Sequence, residues 1–452
     1  MRIAELTGQR VAIWGFGREG RAAIRAIRQR LPDLTLALYC NASEAVEAQV
    51  FDAALNVYPN EPDAVALSAY DVVVKSPGIS AYKPVILTAQ AQGTRFTSGT
   101  ALWFAEHPQA RVVAVTGTKG KSTTTALIAH LARMLGVRTA LAGNIGLPLL
   151  ELLDGQAELW AIELSSFQTG EAGSLELGVI TSLYEEHLDW HGSRERYVAD
   201  KLKLADAARH LLVNAQQPTL LEKTSHHAHR LLFGHTEGWH VAEGFIRRGT
   251  ADVFSLQRLS VPGLHNAFNA CAALAALEAM GIDATAAAPG LATFRPLPHR
   301  LQTLGERDSL QWINDSISTT PQATLAALES LHDREVTVIV GGHDRGLDWT
   351  PFVDAVKSRT ALRIVTQGAN GPRIAAALRV SKSEVPMGDV DKLSDAVEMA
   401  RIITPPGGTV LLSPGAPSFD QFHDYAERGR HFAALAEFDE QAIVGIEGLG
   451  IA

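Results

Sequence analysis

Cysteine is almost missing from this chain: Cys40 and Cys271 are the only two in 452 residues, which argues against a disulfide framework or a Cys-rich zinc site. Long apolar runs are also missing. No stretch reaches about 18 uninterrupted apolar residues, and the opening Met1-Arg2-Ile3-Ala4-Glu5-Leu6-Thr7-Gly8 has no hydrophobic signal core, so neither a membrane span nor a leader is expected. The chain reads as a cytoplasmic protein. Nor is there a surplus of positive charge. A net charge of -9 with both signs scattered leaves no basic stripe for nucleic acid, and an anionic substrate must be held by local groups. His226, His227 and His229 lie in a polar stretch without partner ligands at metal spacing, which reads as a solvated loop.

The length calls for roughly three domains at about 150 residues each. The most informative stretch runs from Val115 to Thr123, V-T-G-T-K-G-K-S-T, between the apolar run Val112–Val115 and a helix-patterned segment that stops at Gly136. A strand that ends in a glycine-rich turn and feeds a helix aims backbone N–H groups and the positive end of the helix dipole at one spot, which suits a phosphate chain. Lys121 then reaches the terminal phosphates and Ser122 binds Mg2+. Val115 stands where a full Walker A has its first glycine, so the motif is the shorter G-T-x-G-K-S-T.

Short apolar runs alternating with helix patterns, at 10–14, 34–39 and 72–74, indicate a parallel α/β unit. Its first turn, Gly15-Phe16-Gly17-Arg18-Glu19-Gly20, fits the dinucleotide fingerprint, but the next strand ends in Tyr39-Cys40-Asn41 rather than in the acid a nicotinamide ribose wants. The turn reads either as a nucleotide-like pocket without NAD or as an ordinary tight turn. In the second unit the run Leu159 to Ile162 ends in Glu163, an acid at a strand's carboxyl end beside the phosphate loop and placed for Mg2+. A third α/β unit follows Leu297-Pro298-His299-Arg300, with strand runs 310–313, 336–340, 362–366 and 409–412. Polar groups end these strands: Asn314-Asp315-Ser316, Gly341 to Arg345, and Ser413-Pro414-Gly415. Loops at such ends are where function concentrates.

Eight strings in order along the whole chain resemble the Mur ligases of peptidoglycan synthesis: G-T-K-G-K-S-T at 117–123, G-N-I-G-L-P at 143–148, E-L-S-S-F-Q at 163–168, E-H-L-D-W at 186–190, H-N-x-x-N at 265–269, L-P-H-R at 297–300, N-D-S at 314–316 and L-S-P-G-A-P-S at 412–418. Within that family they are similar to the enzymes that add glutamate to UDP-N-acetylmuramoyl-L-alanine. The resemblance implies an N-terminal Rossmann-like domain for the UDP sugar (1–99), a central P-loop ATPase domain with a mainly parallel sheet (100–296), and a C-terminal Rossmann-like domain for the amino acid (297–452). It further implies ATP and Mg2+ and an acyl-phosphate intermediate; a monomer is expected, and the scattered charge and missing apolar runs call for no nucleic-acid or membrane partner.

By the same resemblance Lys121, Glu163, His187 and Lys201 are catalytic. Ser122, Glu163, His187 and a carbamylated Lys201 hold metal, and Gly117, Thr118, Lys119, Gly120, Lys121, Ser122, Thr123, Asn269, Arg300 and Asp315 surround ATP. Ser76 in Ser76-Pro77-Gly78 matches the loop near the sugar diphosphate. Asn144 and Ser165 match the reaction centre, and Thr319, Arg345, Ser418 and Tyr425 match the amino-acid site.

Two positions depart from the family pattern. The lysine expected immediately after N-D-S is Ile317, and the lysine of the G-G-x-x-K loop is Arg345. Losing a carboxylate-binding cation costs affinity unless another group replaces it. The strings W-G-F-G-R-E-G, N-D-S-I-S-T-T and G-G-H-D-R-G-L-D-W are similar to the branch that adds L-glutamate, whose product a separate epimerase inverts; D-glutamate is the alternative. A folylpolyglutamate synthetase-like ligase lacks the full N-terminal unit, an inert P-loop module need not keep Glu163, His187 and Lys201, and a dehydrogenase rests on residues 15–20 alone.

Overall fold

The computed structural model describes residues 1–183, 193–261, 263–295, 297–440, 443 and 448–452. Two compact units divide the chain: Met1–Phe294 with Gly448–Ala452, and Arg295–Glu447. The first contains two parallel sheets. Strands β1 (Val11–Trp14), β2 (Leu36–Tyr39), β3 (Asn56–Tyr58), β4 (Val72–Lys75) and β5 (Arg95–Thr97) form an all-parallel sheet in the order β3-β2-β1-β4-β5. β1, β2 and β4 are buried along their whole length, as expected for strands covered on both faces, and this is why they read as unbroken apolar runs rather than alternating ones. The order reverses between β1 and β4, so the crevice outside their carboxyl ends is where such a sheet receives a ligand. Helix α1 (Arg18–Arg30) leaves the β1 turn there.

The second sheet is built from β6 (Val112–Thr116), β7 (Thr139–Gly143), β8 (Leu159–Glu163), β9 (Leu175–Ile180), β10 (Ala208–Asn214) and β11 (Arg230–Phe233), ordered β11-β10-β9-β6-β8-β7. A small antiparallel sheet follows, of β12 (Trp239–Ala242), β13 (Phe245–Arg248) and β14 (Ala251–Ser255). Helix α2 (Gly99–Glu106) joins the two parallel sheets into one body. Its Trp103 is fully buried and meets Trp160 of β8 with ring centroids 4.6 Å apart. One apolar cluster therefore runs from Ile3 and Leu6 through Trp103 to Leu220. Further helices used below are α3 (Lys121–Met134), α4 (Arg194–Ala207) and α5 (Leu264–Ala279).

The second compact unit carries β15 (Gln302–Arg307), β16 (Leu310–Asn314), β17 (Val336–Val340), β18 (Leu362–Thr366), β19 (Met387–Asp389) and β20 (Thr409–Leu412), in the order β15-β16-β20-β17-β18-β19. Only β15 runs antiparallel, as a hairpin partner of β16. Helix α6 (Tyr425–Leu435) returns across this sheet, with Phe432 buried against Trp312 of β16. The chain end does not stay with this unit: β21 (Gly450–Ile451) pairs antiparallel with β7 and extends the central sheet. The architecture is α/β throughout, with three mainly parallel sheets. Among the described residues no helix is long and apolar enough to cross a membrane.

Candidate active site

The phosphate loop sits where β6 ends and α3 begins. Gly120, the residue capping α3, has φ 84°, and a side chain there would run into Asn269 Oδ1 of α5, so only glycine fits. Thr181 and Ser182, just past β9, clamp the loop. Lys119 O accepts from Thr181 Oγ1 at 2.5 Å and from Ser182 Oγ at 3.0 Å, while Thr118 N donates to Ser182 O at 2.9 Å. Thr118 Oγ1 and Tyr197 Oη are 2.9 Å apart. This frame holds the loop open toward the start of a helix of 14 residues, a ready anion site. Lys121 Nζ donates to Thr118 O at 3.0 Å, a contact that a phosphate oxygen can replace. Ser122 and Thr123 occupy the first turn of α3.

Next to β6 lies β8, in register Val115 with Glu163. Glu163 is 1 % exposed. Its Oε1 accepts from Asn144 Nδ2 at 2.7 Å, and its Oε2 is buried with no hydrogen-bond partner. A buried carboxylate oxygen left bare is costly, and a hard cation is the partner such an oxygen takes. Asn144 is also held by its own backbone, N to Glu163 O at 2.9 Å. Lys201 reaches the loop from the other side: it is 2 % exposed on α4, donates from Nζ to Gly117 O at 2.8 Å, and lies over the Tyr197 ring. The structure thus brings Gly117 to Thr123, Glu163, Asn144, Lys201 and Asn269 around one loop. Ser165, just after β8, is tied by N and Oγ to Gln168 Oε1. His187 lies outside the described residues.

At the crevice of the first sheet, Ser76 Oγ is buried without a partner and a Cβ on Gly15 would stand 2.5 Å from it. The fingerprint turn and the Ser76-Pro77-Gly78 loop therefore face each other, with the serine hydroxyl between them. Nearby Lys75 pairs with Glu171 at 3.8 Å, and Ser98 Oγ donates to Glu171 Oε2 at 2.6 Å. Burial pushes Lys75 down and Glu171 up in pKa, each toward its neutral form. Burial, aided by the charge of Glu171, lifts Glu19 of the fingerprint turn to about 7.

In the second unit Asp315 follows the last residue of β16 and is buried. Its Oδ2 accepts from Ser318 Oγ at 2.5 Å and Ser413 Oγ at 2.7 Å, its Oδ1 accepts from Leu301 N, and burial raises its pKa. The Arg300 charge acts on it in the opposite sense. His299, buried with φ 59°, is pushed down to about 4 by burial and stays neutral. Thr319 is half-buried, Ser418 is buried, and Tyr425 opens α6 with its carbonyl taking a hydrogen bond from Ser316 Oγ at 2.8 Å. Arg345 is exposed in the loop after β17. Its neighbour Asp344 is held instead by Arg373 at 2.6 Å. His226 and His229 are exposed.

Sequence reasoning missed Thr181, Ser182 and Tyr197 as parts of this frame. The first two were findable as polar residues closing a strand adjacent to β6. Tyr197 sits inside α4 with no local pattern to mark it.

Comparison with known proteins gives a consistent result. Residues 115–277 match the Mur ligase middle domain and 299–415 match the Mur ligase glutamate ligase domain. A "UDP-N-acetylmuramoyl-L-alanine--L-glutamate ligase" of Xanthomonas euvesicatoria pv. vesicatoria is 52 % identical over 468 residues, covering 100 % of both chains. One of the same name from Micromonospora is 39 % identical over 96 % of this chain and 97 % of its own. Among solved structures, the UDP-N-acetylmuramate-alanine ligase MurC of Thermotoga maritima has a TM-score of 0.60 at 21 % identity, covering 95 % of this chain and 99 % of its own.

Proposed function

The chain belongs to the Mur ligase family, and we propose that it is the ATP-dependent ligase that joins L-glutamate to UDP-N-acetylmuramoyl-L-alanine. The choice of substrates rests on the full-length relatives that bear that name. The observation in the structure that carries the chemistry is the buried, unpartnered Glu163 Oε2 beside the phosphate loop, with Lys201 aimed at the same loop. That pairing suits a site where several anionic oxygens must be brought together and their repulsion offset.

In this reading the γ-phosphate passes from ATP to the carboxylate of the L-alanine arm, releasing ADP and leaving an acyl phosphate. The glutamate amine attacks the acyl carbon, and the tetrahedral adduct collapses to amide and inorganic phosphate. Lys121 exchanges Thr118 O for phosphate oxygens, and the backbone of 117–123 cradles the phosphate chain. Asn144 and Ser165 hold the reacting acyl group. Asn269 supports the loop, and Arg300 and Asp315 serve the nucleotide. Glu163, Ser122, His187 and a carbamylated Lys201 are the ligands for Mg2+, which supplies positive charge against the transferring phosphoryl group. Lys201 as a plain amine is a cation and no metal ligand, so carbamylation is what lets it join that set. Ser76 serves the sugar diphosphate, and Thr319, Arg345, Ser418 and Tyr425 the incoming glutamate, with domains at 1–99, 100–296 and 297–452. The enzyme works in the cytoplasm, as a monomer, and hands its product to an epimerase.

The test is phosphate release by the purified protein with ATP, Mg2+ and UDP-N-acetylmuramoyl-L-alanine, comparing L- with D-glutamate. Turnover with L-glutamate alone is expected; turnover with D-glutamate alone overturns the choice of enantiomer.

A further inference from the structure

The second unit buries a positive charge that, among the described residues, no carboxylate touches. Arg428 of α6 is 1 % exposed. Two of its nitrogens are spent on Ser316: Nε donates to Oγ at 3.0 Å and Nη2 to the carbonyl at 2.8 Å. Its Nη1 is buried with no hydrogen-bond partner. The loops around that atom come from three neighbouring strands. Ser316 follows β16, Gly342 follows β17 and Pro417 follows β20, and the sheet order is β16-β20-β17. A Cβ on Gly342 would stand 3.1 Å from Nη1, with Ala416 also alongside. His343 N to Pro417 O at 2.9 Å and Gly341 N to Pro414 O at 2.7 Å lace these loops together above the guanidinium.

Burying a cation without a counter-ion is expensive, and the cost is visible: burial draws Arg428 down to about 10. The carboxylate whose charge acts on it, Asp420, has its Oδ2 engaged by Ala369 N at 3.0 Å. A guanidinium held this way under the carboxyl ends of adjacent parallel strands is placed against the crevice where such sheets take ligands. It lies one residue from Ile317 through Ser316, at the very string where a cation is missing. We propose that Arg428 supplies the positive charge that selects and holds a carboxylate of the incoming amino acid, in the role left open by Ile317. The inference rests on glutamate being that amino acid. A carboxylate of the ligand supplies the counter-charge, either at Nη1 itself or across the Gly342 loop, so the charge matters more than the fork.

The experiment measures kcat/KM for L-glutamate against L-glutamine and L-isoglutamine, each of which replaces one carboxylate by an amide, in the wild-type protein and in Arg428→Gln and Arg428→Lys. Arg428→Gln keeps a donor for Ser316 but loses the charge. Its preference for glutamate over one of the two amides is expected to fall at least about tenfold, while KM for ATP and for the sugar nucleotide stays within about twofold. Arg428→Lys keeps the charge and is expected to keep the preference. An unchanged preference in a folded Arg428→Gln protein, or an equal loss in both variants, overturns the proposal and leaves Arg428 as a brace for the Ser316 loop. Should Arg428→Gln not fold, Arg428→Lys decides: loss of the preference there refutes it. Absence of wild-type turnover with glutamate defeats the functional reading itself, whereas wild-type turnover with an unmoved preference defeats only the role of Arg428.

Discussion

Glu163 and Glu19 are both carboxylates at the carboxyl ends or turns of parallel strands, yet the structure treats them differently. Glu163 keeps one oxygen on Asn144 and has the other buried without a hydrogen-bond partner. Glu19 is packed near Gly99, where a Cβ would stand 3.1 Å from its Oε2, and it feels Glu171 and Glu151 against Arg18. The consequence for Glu19 is a pH-dependent penalty. Its pKa is about 7 in the folded protein against 4.5 for an ordinary glutamate, so at pH 6 the folded chain holds a proton that the unfolded chain has lost. Raising the pH therefore favours unfolding. The penalty starts near 4.5 and is complete above 7, reaching about 3 kcal/mol at ~1.36 kcal/mol per pH unit. Glu19→Gln is expected to melt several degrees above wild type at pH 8 and level with it near pH 4.5. Thermal melting across that range checks this; a difference that does not change with pH would show that Glu19 does not titrate as argued. None of this was readable in the sequence, because G-F-G-R-E-G specifies a turn, whereas the pKa comes first from burial and then from the charge of Glu171, about 150 residues away.

At the scale of elements, the apolar runs marked some buried strands and passed over others. β6 and β17 are buried along their whole length, β18 at all but Arg363, and all three coincide with the runs that marked them, while Gly136, with φ 77°, does end the helix of the phosphate loop. The pattern missed β7, β9 and β10, although most of their residues are buried inside the central sheet, and it missed strands at edges. β15 carries Gln302, Glu306 and Arg307 with no buried residue, β19 is three residues long, and β21 only two. β21 matters beyond its length. Arg133 of α3, pushed down in pKa by burial, donates to Gly448 O at 2.7 Å and Gly450 O at 2.9 Å as well as to Thr139 O. Removing the tail strips two carbonyls from a half-buried guanidinium and uncovers the edge of β7. Hydrogen bonds to charged groups are worth about 1.5–3 kcal/mol each, so a chain ending at residue 447 is expected to lose several degrees of melting temperature in its first compact unit. The substitution Arg133→Met, which removes the charge that needs those carbonyls, should shrink the loss. Differential scanning calorimetry of the four proteins measures it, and equal losses in both backgrounds would assign the tail's effect to strand pairing alone.

At the scale of the molecule, three sheets were expected from three rhythms of strand and helix, and three mainly parallel sheets are present. The compact units number two, and the reason lies in α2. The sequence division at 99/100 falls at the first residues of that helix, whose Trp103 fills a core shared by both sheets of the first unit. Periodicity reports which face of an element is apolar and is silent on which neighbour covers it. The same unit contains the whole phosphate-loop cluster, Lys121, Glu163, Lys201 and Asn269, while Arg345, Ser418, Tyr425 and Arg428 belong to the other. This partition gives the last prediction. Residues 1–294 joined by a flexible Gly/Ser linker to 448–452 hold every element of the first unit, β21 included, and are expected to fold and to bind ATP without releasing phosphate. Lys121→Ala in that shortened chain should weaken ATP binding at least about tenfold, because it removes a charge-assisted contact to phosphate. Calorimetric titration with ATP and Mg2+ provides the readout. Binding that ignores Lys121 would mean the nucleotide enters elsewhere, and a shortened chain that folds yet binds no ATP would mean that groups of the second unit are indispensable for holding it.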